Sequence, residues 1–551
     1  MENADRWNLQ KRRANFEPLS PLSFLRRTSL VYPDHPAIVY GDTRRTYQEM
    51  EVRCRQISSF LDKRGVLKGD VVSVMLPNVP EMLELHFAGP ASGRVLHTIN
   101  TRLDPEAVRF QIVHSKSKVI FFDREYALIV QSAISTLPEP PLLIEVIDRF
   151  GPYSAESSVH LSYDQALSQG DPRSYFGNPD DEWQPIALAY TSGTTGNPKG
   201  VVTHHRGAYL NSTANALAWE MPHHPVYLWV LPIFHCDGWC FPWTVTHLAG
   251  THVCLRKVDT DVIFSLVESE KVSHLCAAPV VLSMLAAANQ TDGKTFAAPI
   301  KILTAGAPPP ARVIEAMEAV NASVTQVYGL TETYSSTAIS VWNPKWNDLA
   351  AHERFHLKSR QGVPYPACEE LNVIDVAGNP VPWDGVTMGE VVVRGNTVMA
   401  GYLENPAATD EAFANGWFHT GDLATRDSAG YVTVKDRTKD MINSGGEKVS
   451  SIEIEEVLSE YPDLLEVAVV AAPDEKWGEV PWAFVGVKPG TQVTEEQLVS
   501  HCRKRLAKYK IPKKFIFGAL DRTATGKIQK FKLRVVAAET VLAESAAPGV
   551  V

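Results

Sequence analysis

The sequence predicts an α/β protein, with a large N-terminal domain followed by a smaller α+β C-terminal domain. Short apolar runs alternate with helical patterns through the first three-quarters of the 551 residues, which is typical of two subdomains built from βαβ layers. From about Gly362 the strands become closely spaced and are separated by Gly, Pro and Asp turns, as in a small β-barrel or antiparallel sheet. A charged segment and a Gly-Gly loop then introduce the last α+β pattern.

The boundary between the domains is placed in the charged segment, so that the large domain spans 1–438 and the C-terminal domain 439–551. A capping box at Thr494 and Gln497 predicts a helix that ends near residue 508. The Ala-rich stretch after Val536 is predicted to fray. The predicted strands are 71–76, 119–122, 186–190, 226–231, 301–305, 370–375, 390–394, 431–435, 466–472 and 482–487.

Composition and charge exclude several classes of protein. Hydrophobic residues make up 44% and charged residues 21%, which is near the globular average. A net charge of −10 gives no sequence-wide attraction for nucleic acid, so we expect no nucleic-acid partner. Seven cysteines without a CxxC pair predict reduced thiols rather than a disulfide scaffold.

The sequence also carries no targeting or membrane signal of the usual kinds. Its start lacks an apolar signal core, no run reaches the ~18 apolar residues of a spanning helix, and it does not end in Ser-Lys-Leu. These features predict no integral membrane segment and a cytoplasmic location.

A Gly/Ser/Thr-rich loop follows the strand predicted at 186–190. The run Thr191-Ser-Gly-Thr-Thr-Gly-Asn-Pro-Lys-Gly200 has the groups that an anion requires. Glycines let backbone N–H groups approach closely, hydroxyls donate to phosphate oxygens, and Lys199 neutralises charge. A solvated turn is the alternative, and the preceding strand favours the phosphate site. The loop differs from a Walker loop because Gly200, rather than Ser or Thr, follows Lys199.

This loop resembles the signature loop of the acyl-adenylate-forming (AMP-binding) superfamily, which includes acyl-CoA synthetases, peptide-synthetase adenylation domains and beetle luciferases. The resemblance covers about residues 24–532. It is similar to the acyl-CoA synthetase branch and, within it, to the plant-type acyl-activating enzymes. It implies ATP-dependent conversion of a carboxylate to an acyl-AMP, from which a thiol displaces AMP. The further matching segments, in the expected order, are 305–307, 328–333, 420–423, 436–440, 444–448 and 525–527.

The resemblance assigns Mg²⁺ to Glu332, and to Lys527 a contact that bridges the substrate carboxylate and the α-phosphate. Without the motif, Lys527 would be one surface lysine among many. Asp422 is assigned to the ribose hydroxyls, although a turn aspartate that caps its own backbone is the alternative. Tyr328 would stack on adenine, and Arg437 would contact ribose or phosphate. The other residues assigned to the nucleotide are Thr191, Ser192, Gly193, Thr194, Thr195, Lys199, Ala305, Gly306, Ala307, Gly329 and Thr331.

The C-terminal domain is implied to be mobile. Lys439 occupies the family's hinge position, at which the domain would rotate between the two half-reactions, although a solvated charged linker would have the same composition. Rotation would remove Lys527 and bring Gly445 and Gly446 towards the thiol. The glycines would permit close approach of a slender pantetheine.

The acyl pocket is expected around the segment 234–240. His235 matches a family histidine beside the acyl and phosphate groups, with a hydrogen-bonded core histidine as the alternative. Trp239 would narrow the pocket and favour small acids, with Gly306 and Gly329 also lining it. Relatives often have Asn where this chain has Asp237. The spacing of two cysteines and a distant histidine around this segment is weak for zinc, and buried thiols fit better.

Together with these residues, the resemblance implies an ATP-, Mg²⁺- and CoA-dependent ligase for a small-to-medium aliphatic or aryl monocarboxylic acid. The alternatives are transfer to the phosphopantetheine of a carrier protein and, from another class, an inactive nucleotide or lipid binder. Retention of Lys527 argues against the inactive binder, because binding alone does not require that lysine. A homodimer is left open.

Overall fold

The computed structural model describes residues 9–152, 161–175, 177–191, 198–306, 309–488, 490–522 and 528–546. Four sheets organise this part of the chain. No helix in these ranges is long and apolar enough to span a membrane. The helices are α1 (Leu22–Val31), α2 (Tyr47–Lys63), α3 (Pro80–Ala88), α4 (Pro105–Ser115), α5 (Ala127–Ile134), α6 (Tyr163–Gln169), α7 (His205–Ala218), α8 (Phe241–His247), α9 (Thr260–Ser269), α10 (Pro279–Asp292), α11 (Ala311–Ala319), α12 (Ala351–Lys358), α13 (Pro406–Ala412), α14 (Ser451–Ser459), α15 (Glu495–Arg503) and α16 (Lys530–Ala546).

The first two sheets form the layered part of the large domain. The nine-stranded sheet contains β1 (Pro36–Tyr40), β2 (Thr43–Thr46), β9 (Val226–Trp229), β10 (Thr251–Cys254), β11 (His274–Cys276), β12 (Ile300–Thr304), β13 (Ala322–Leu330), β14 (Ser335–Ile339) and β15 (Val363–Pro364). The seven-stranded sheet contains β3 (Val71–Met75), β4 (Val95–Thr98), β5 (Val119–Asp123), β6 (Leu142–Val146), β7 (Pro185–Thr191), β8 (Lys199–His204) and β18 (Gly401–Tyr402). The middle strands of both sheets run parallel, as the alternating pattern predicts.

The remaining two sheets are smaller. The third is a four-stranded antiparallel sheet of β16 (Glu370–Ile374), β17 (Gly389–Arg394), β19 (Phe418–Arg426) and β20 (Val432–Arg437), and it corresponds to the predicted barrel or small sheet. The fourth contains β21 (Ile442–Ser444), β22 (Glu447–Val449), β23 (Leu464–Asp474), β24 (Gly478–Val487) and β25 (Lys514–Phe517). The predicted domain boundary falls in the turn between β20 and β21, where the chain passes from the third sheet to the fourth.

Two expectations for the C-terminal domain are wrong. The helix that begins at the Thr494 capping box ends at Arg503 rather than near 508. The stretch after Val536 does not fray within the described residues, because α16 continues to Ala546. Ala537 is buried and belongs, with Leu533, to a hydrophobic cluster that includes strands β23 and β24, and this packing holds the helix in place.

Candidate functional site

The predicted phosphate-binding loop lies between two antiparallel strands of the second sheet. Thr191 ends β7, Lys199 begins β8, and the two residues pair directly across the strands. Ser192, Gly193, Thr194 and Thr195 lie outside the described residues. The strands therefore fix both ends of the loop, and they place the Lys199 side chain at its exit.

Tyr402 links Lys199 to the predicted metal ligand. The Lys199 ammonium lies 4.6 Å from the centre of the Tyr402 ring, and the Tyr402 hydroxyl donates to Glu332 Oε1 at 3.1 Å. The backbone of Glu332 is held as well, because Met399 N donates to its carbonyl at 2.7 Å. Tyr402 reaches this position because β18 pairs with β8, next to Lys199. None of the sequence motifs contains Tyr402, so sequence reasoning missed it.

Glu332 fits a magnesium ligand. Tyr402 occupies one acceptor position on Oε1, which leaves Oε2 and a second position on Oε1. Mg²⁺ is usually bound through one or two carboxylates together with substrate phosphates. Among the described residues, no group of three or more His, Cys, Asp or Glu side chains is placed to hold a metal ion. Cys236 and Cys240 are buried free thiols, as expected.

A buried carboxylate forms the centre of the predicted nucleotide site. Asp422 is 4% exposed, its Oδ2 accepts from the Tyr328 hydroxyl at 2.7 Å, and its Oδ1 lies 3.1 Å from Arg437 Nε. The register of β19 and β20 places Asp422 opposite Arg437, and β13 brings Tyr328 from the first sheet. Each carboxylate oxygen keeps a second acceptor position, which suits two adjacent ribose hydroxyls.

The charges at this site reinforce one another. Burial opposes the charged form of Arg437, but the Asp422 carboxylate outweighs it and raises the guanidinium pKa. Burial and the Asp422 carboxylate raise the pKa of Tyr328, so the phenol remains a donor. The Tyr328 ring is half-buried and held through its hydroxyl, and its stacking on adenine stays a prediction.

Gly306 and Gly329 are glycines for different structural reasons. Gly306 has a φ of +89°, and a Cβ there would meet nothing within 4 Å. Gly329 needs to be glycine for packing, because a Cβ would lie 1.7 Å from the Ser335 carbonyl oxygen across the β13–β14 hairpin. Ala305 and Thr331 are half-buried beside these positions. Ala307 lies outside the described residues.

The predicted acyl segment forms a left-handed turn. The five consecutive residues Cys236–Cys240 have φ values of 42°, 43°, 58°, 54° and 63°, and only Gly238 among them is a glycine. Left-handed backbone costs an L-residue roughly 1–2 kcal/mol. Trp239 is 8% exposed, and its carbonyl accepts from Asn215 Nδ2 on α7 at 2.9 Å. His235 is half-buried and immediately precedes the turn.

Asp237 lies fully buried in this turn. Its Oδ1 is 2.8 Å from the hydroxyl of Thr98, which ends β4 in the second sheet. Burial raises the pKa of Asp237 to about 6. The Asp237–Thr98 contact therefore joins the acyl turn to the other sheet.

One short segment, residues 328–334, contacts all three parts of the site. The Tyr328 hydroxyl donates a hydrogen bond to Asp422, and Glu332 accepts one from the Tyr402 hydroxyl. On the acyl side, the Cys236 thiol lies 4.0 Å from the Leu330 carbonyl oxygen, and the Cys240 thiol lies 3.8 Å from that of Tyr334. The predicted nucleotide, metal and acyl positions are consequently neighbours.

The C-terminal domain contributes a glycine turn and an exposed tryptophan. Gly445 and Gly446 connect β21 to β22 with φ values of +64° and +91°, which a two-residue hairpin turn requires. Gly445 N donates to the Trp477 carbonyl at 2.8 Å, and Trp477 is 43% exposed beside the turn. Sequence reasoning missed Trp477, because it lies in a separate hairpin.

Lys439 lies in the turn between the third and fourth sheets. Partial burial and the neighbouring Arg437 and Arg534 lower its pKa. Arg534 of α16 in turn pairs with Asp440 beside Lys439. Lys527 lies outside the described residues, so its approach to the nucleotide stays a prediction.

Comparison with known proteins identifies the family of this chain. Residues 25–403 match the model of the AMP-binding enzyme family, and residues 453–527 match that of the AMP-binding enzyme C-terminal domain. The chain is 43% identical to the peroxisomal acetate/butyrate–CoA ligase of Arabidopsis thaliana over 550 residues, which is 97% of each chain. It is 40% identical to the peroxisomal trans-cinnamate:CoA ligase of Petunia hybrida over 545 residues, which is 96% of each chain.

A solved structure extends the agreement to the fold. The o-succinylbenzoate coenzyme A synthetase of Bacillus subtilis, in complex with ATP and a magnesium ion, matches with a TM-score of 0.78 and 26% identity, covering 93% of this chain and 98% of that one. The chain therefore belongs to the AMP-binding enzyme family, in its acyl-CoA synthetase branch, and is similar over nearly its full length to plant acyl-activating enzymes.

Proposed function

We propose that this protein is an AMP-forming carboxylate–CoA ligase that acts on a small-to-medium aliphatic or aryl monocarboxylic acid. The observation that carries the proposal is the segment 328–334, which contains the metal-type carboxylate Glu332 and contacts both the ribose-type carboxylate and the acyl turn. An acid in the acyl pocket would then lie beside the α-phosphate of a nucleotide bound at Asp422. Proximity of two reactants lowers the entropic part of the barrier.

In the first half-reaction, a carboxylate oxygen of the acid bonds to the α-phosphorus of ATP, and the bond to the pyrophosphate oxygen breaks. Both reactants are anions, so charge neutralisation is the main requirement. Lys199 supplies one positive charge where the phosphate loop ends. Glu332 would hold Mg²⁺, which neutralises the phosphates when bound. Lys527 is proposed to bridge the carboxylate and the α-phosphate, as the family resemblance implies.

In the second half-reaction, the CoA thiol bonds to the acyl carbonyl carbon and AMP leaves. The turn of Gly445 and Gly446 has no side chains to obstruct a pantetheine arm. Trp477 beside it presents an exposed aromatic surface. Lys527 and this surface both belong to the C-terminal domain, and each half-reaction needs only one of them. Rotation of the domain about Lys439 is therefore proposed to withdraw Lys527 from the acyl-AMP and to bring the glycine turn and Trp477 towards it.

The size of the acid is proposed from Trp239. Its indole is buried at the acyl turn, so a long chain would have to displace it. The two curated relatives described above are named for acetate and butyrate and for trans-cinnamate. Their names also specify CoA, which favours CoA over a carrier protein as acceptor.

Release of AMP from ATP, with CoA and a panel of acids from acetate through octanoate to benzoate and cinnamate, tests the proposal. We expect AMP and an acyl-CoA in equal amounts with at least one short or aryl acid, and no AMP above background without acid. Transfer to a carrier protein but not to CoA would overturn it.

Location and assembly stay proposals. The cytoplasmic location predicted from the sequence has to be tested against the peroxisome, because two of the relatives carry that location in their names. Co-localisation of the tagged full chain with a peroxisomal marker would contradict it. Light scattering tests the homodimer.

A further inference from the structure

The Thr98 hydroxyl has two acceptors within hydrogen-bond distance. It lies 2.8 Å from the Phe234 carbonyl oxygen and 2.8 Å from Asp237 Oδ1. A hydroxyl carries one proton, and a carbonyl or an ionised carboxylate can only accept. One proton shared between two acceptors makes a three-centre bond with two weaker arms. Both short contacts are full hydrogen bonds only when one partner supplies a second proton, and Asp237 is the one that can.

We propose that the neutral, protonated form of Asp237 is a positioning residue of the acyl site, in which Oδ1–H donates to Thr98 while Thr98 donates to Phe234. This chain of two hydrogen bonds is called the Thr98 relay below. It rests on the proposed function, since it assigns a role within the acyl site of that ligase. Thr98 is 4% and Asp237 0% exposed, so bulk water is excluded from both.

The relay stabilises a backbone that would otherwise be unfavourable. The left-handed residues begin two positions after Phe234, and Asp237 is the second of them. The relay therefore holds the entry of the turn against β4, while the bond from Asn215 to the Trp239 carbonyl holds its exit. Loosening the entry would move His235 and Trp239, the two side chains assigned to the acid.

The groups that face Asp237 favour its neutral form. On its own turn these are the Cys236 and Cys240 thiols, whose pKa values are raised by burial and further by Asp237. Asp237 also faces Tyr334, the residue before β14, whose hydroxyl pKa is likewise raised by burial. Glu332 adds a negative charge that acts on Cys236. A negative charge on Asp237 would therefore be surrounded by groups that do not compensate it.

The relay makes the acyl site sensitive to pH. Because burial raises the pKa of Asp237 from 3.8 to about 6, the acid is neutral below that pH and loses its proton above it. When Asp237 is ionised, Thr98 has two acceptors but only one proton, so one of its two hydrogen bonds is lost. The first residues of the turn are then no longer held against β4. Asparagine at this position would keep a donor at every pH, because its amide Nδ2–H can replace the carboxyl proton.

The test is acid-dependent ATP–pyrophosphate exchange, measured from about pH 5 to about pH 8 on the full-length wild type, Asp237→Asn and Thr98→Val. Exchange omits CoA, so ionisation of the thiol does not contribute. For the wild type we expect the KM for the acid to rise about fivefold through pH 6, with little change in the KM for ATP. Asp237→Asn is expected to keep the low KM throughout, and Thr98→Val to have a high KM at every pH.

Infrared spectroscopy provides a readout that does not require activity. Asp237→Asn is the control that assigns the band to Asp237, because burial also raises the carboxyl pKa values of Glu81, Glu455 and Glu456. The wild type should show the carbonyl band of a protonated buried carboxyl at low pH, and this band should disappear with a midpoint near pH 6. Absence of the band, or equal pH dependence of the acid KM in the wild type and Asp237→Asn, would overturn the relay. Failure of the proposed function gives a different result, namely no acid-dependent exchange at any pH while the band titrates.

Discussion

The nucleotide side and the acyl side of the site are built in opposite ways. Around Asp422, regular strands supply the backbone, and each carboxylate oxygen has a partner, Tyr328 or Arg437. Around Asp237, the backbone is left-handed, and among the described side chains Asp237 Oδ2, Tyr334 Oη and Asn211 Oδ1 are buried without a hydrogen-bond partner. Strand register fixes the first arrangement, whereas the second depends on a few contacts between distant segments.

This difference indicates where change can be tolerated. A nucleotide site that is pre-organised by paired strands loses binding when either partner is removed, because the other is left buried and unpaired. A strained turn that is held at its two ends can be altered between those ends without disturbing the sheets. We therefore expect large losses from the nucleotide side and altered selectivity from the acyl side.

The largest effect is expected from Asp422→Ala. It removes the carboxylate that both Tyr328 and Arg437 contact, so kcat/KM for ATP should fall at least about 100-fold. Tyr328→Phe, which removes only one partner, should lose about tenfold. Steady-state AMP formation measures both. An Asp422→Ala variant with nearly wild-type kcat/KM would remove Asp422 from the site.

The next effect is expected from Gly445→Ala. A Cβ at Gly445 would lie 2.6 Å from Trp477 Cε3 in a backbone with φ of +64°. Thioester formation from supplied acyl-AMP should slow about tenfold, while pyrophosphate exchange remains within about twofold of the wild type. Gly490→Ala is the matched control, since Gly490 also has a positive φ of +81° and a Cβ there would meet no atom within 4 Å, but it lies outside this turn. Equal losses of rate in pyrophosphate exchange and in thioester formation would contradict the assignment of this turn to the second half-reaction.

A change of selectivity is expected from Trp239→Gly. The substitution removes the buried indole and also suits the left-handed backbone at this position, where φ is 54°. The ratio of kcat/KM for octanoate to that for butyrate should rise about tenfold. Trp239→Phe, which keeps a ring, serves as the control. An unchanged ratio in Trp239→Gly would refute the pocket assignment.

The smallest effect concerns stability. Because the folded-state pKa of Asp237 is raised to about 6, the native state holds this proton more tightly than the unfolded chain, and stability falls as pH rises from about 4 to about 6. Asp237→Asn lacks this contribution. Its melting temperature relative to the wild type should therefore increase by a few degrees over that interval and level off above it. A constant difference would contradict the raised pKa.

Sequence patterns predicted the elements well and their contacts poorly. The strand before the phosphate loop and the capping box at Thr494 were predictable, because periodicity and capping act within a few residues. The bond between Tyr328 and Asp422 joins residues 94 apart, and that between Thr98 and Asp237 joins residues 139 apart. No local pattern specifies such pairs.

The left-handed turn shows a further limit of sequence reasoning. Residues 236–240 contain one glycine, so no propensity rule predicts five consecutive positive φ values. Tertiary contacts from Thr98 and Asn215 impose that backbone. Helix α16 shows the same limit to a smaller degree. Its Ala-rich composition predicted a frayed terminus, but burial of Ala537 keeps the segment helical.

The central claim is that this chain forms an acyl-AMP from a small carboxylic acid, and acid-dependent ATP–pyrophosphate exchange tests it most directly. We predict exchange by the wild type that requires a short-chain or aryl acid, and its loss in Lys527→Ala, which should still form acyl-CoA from supplied acyl-AMP. Exchange that proceeds equally without acid, or that survives in Lys527→Ala at the wild-type rate, would contradict the account.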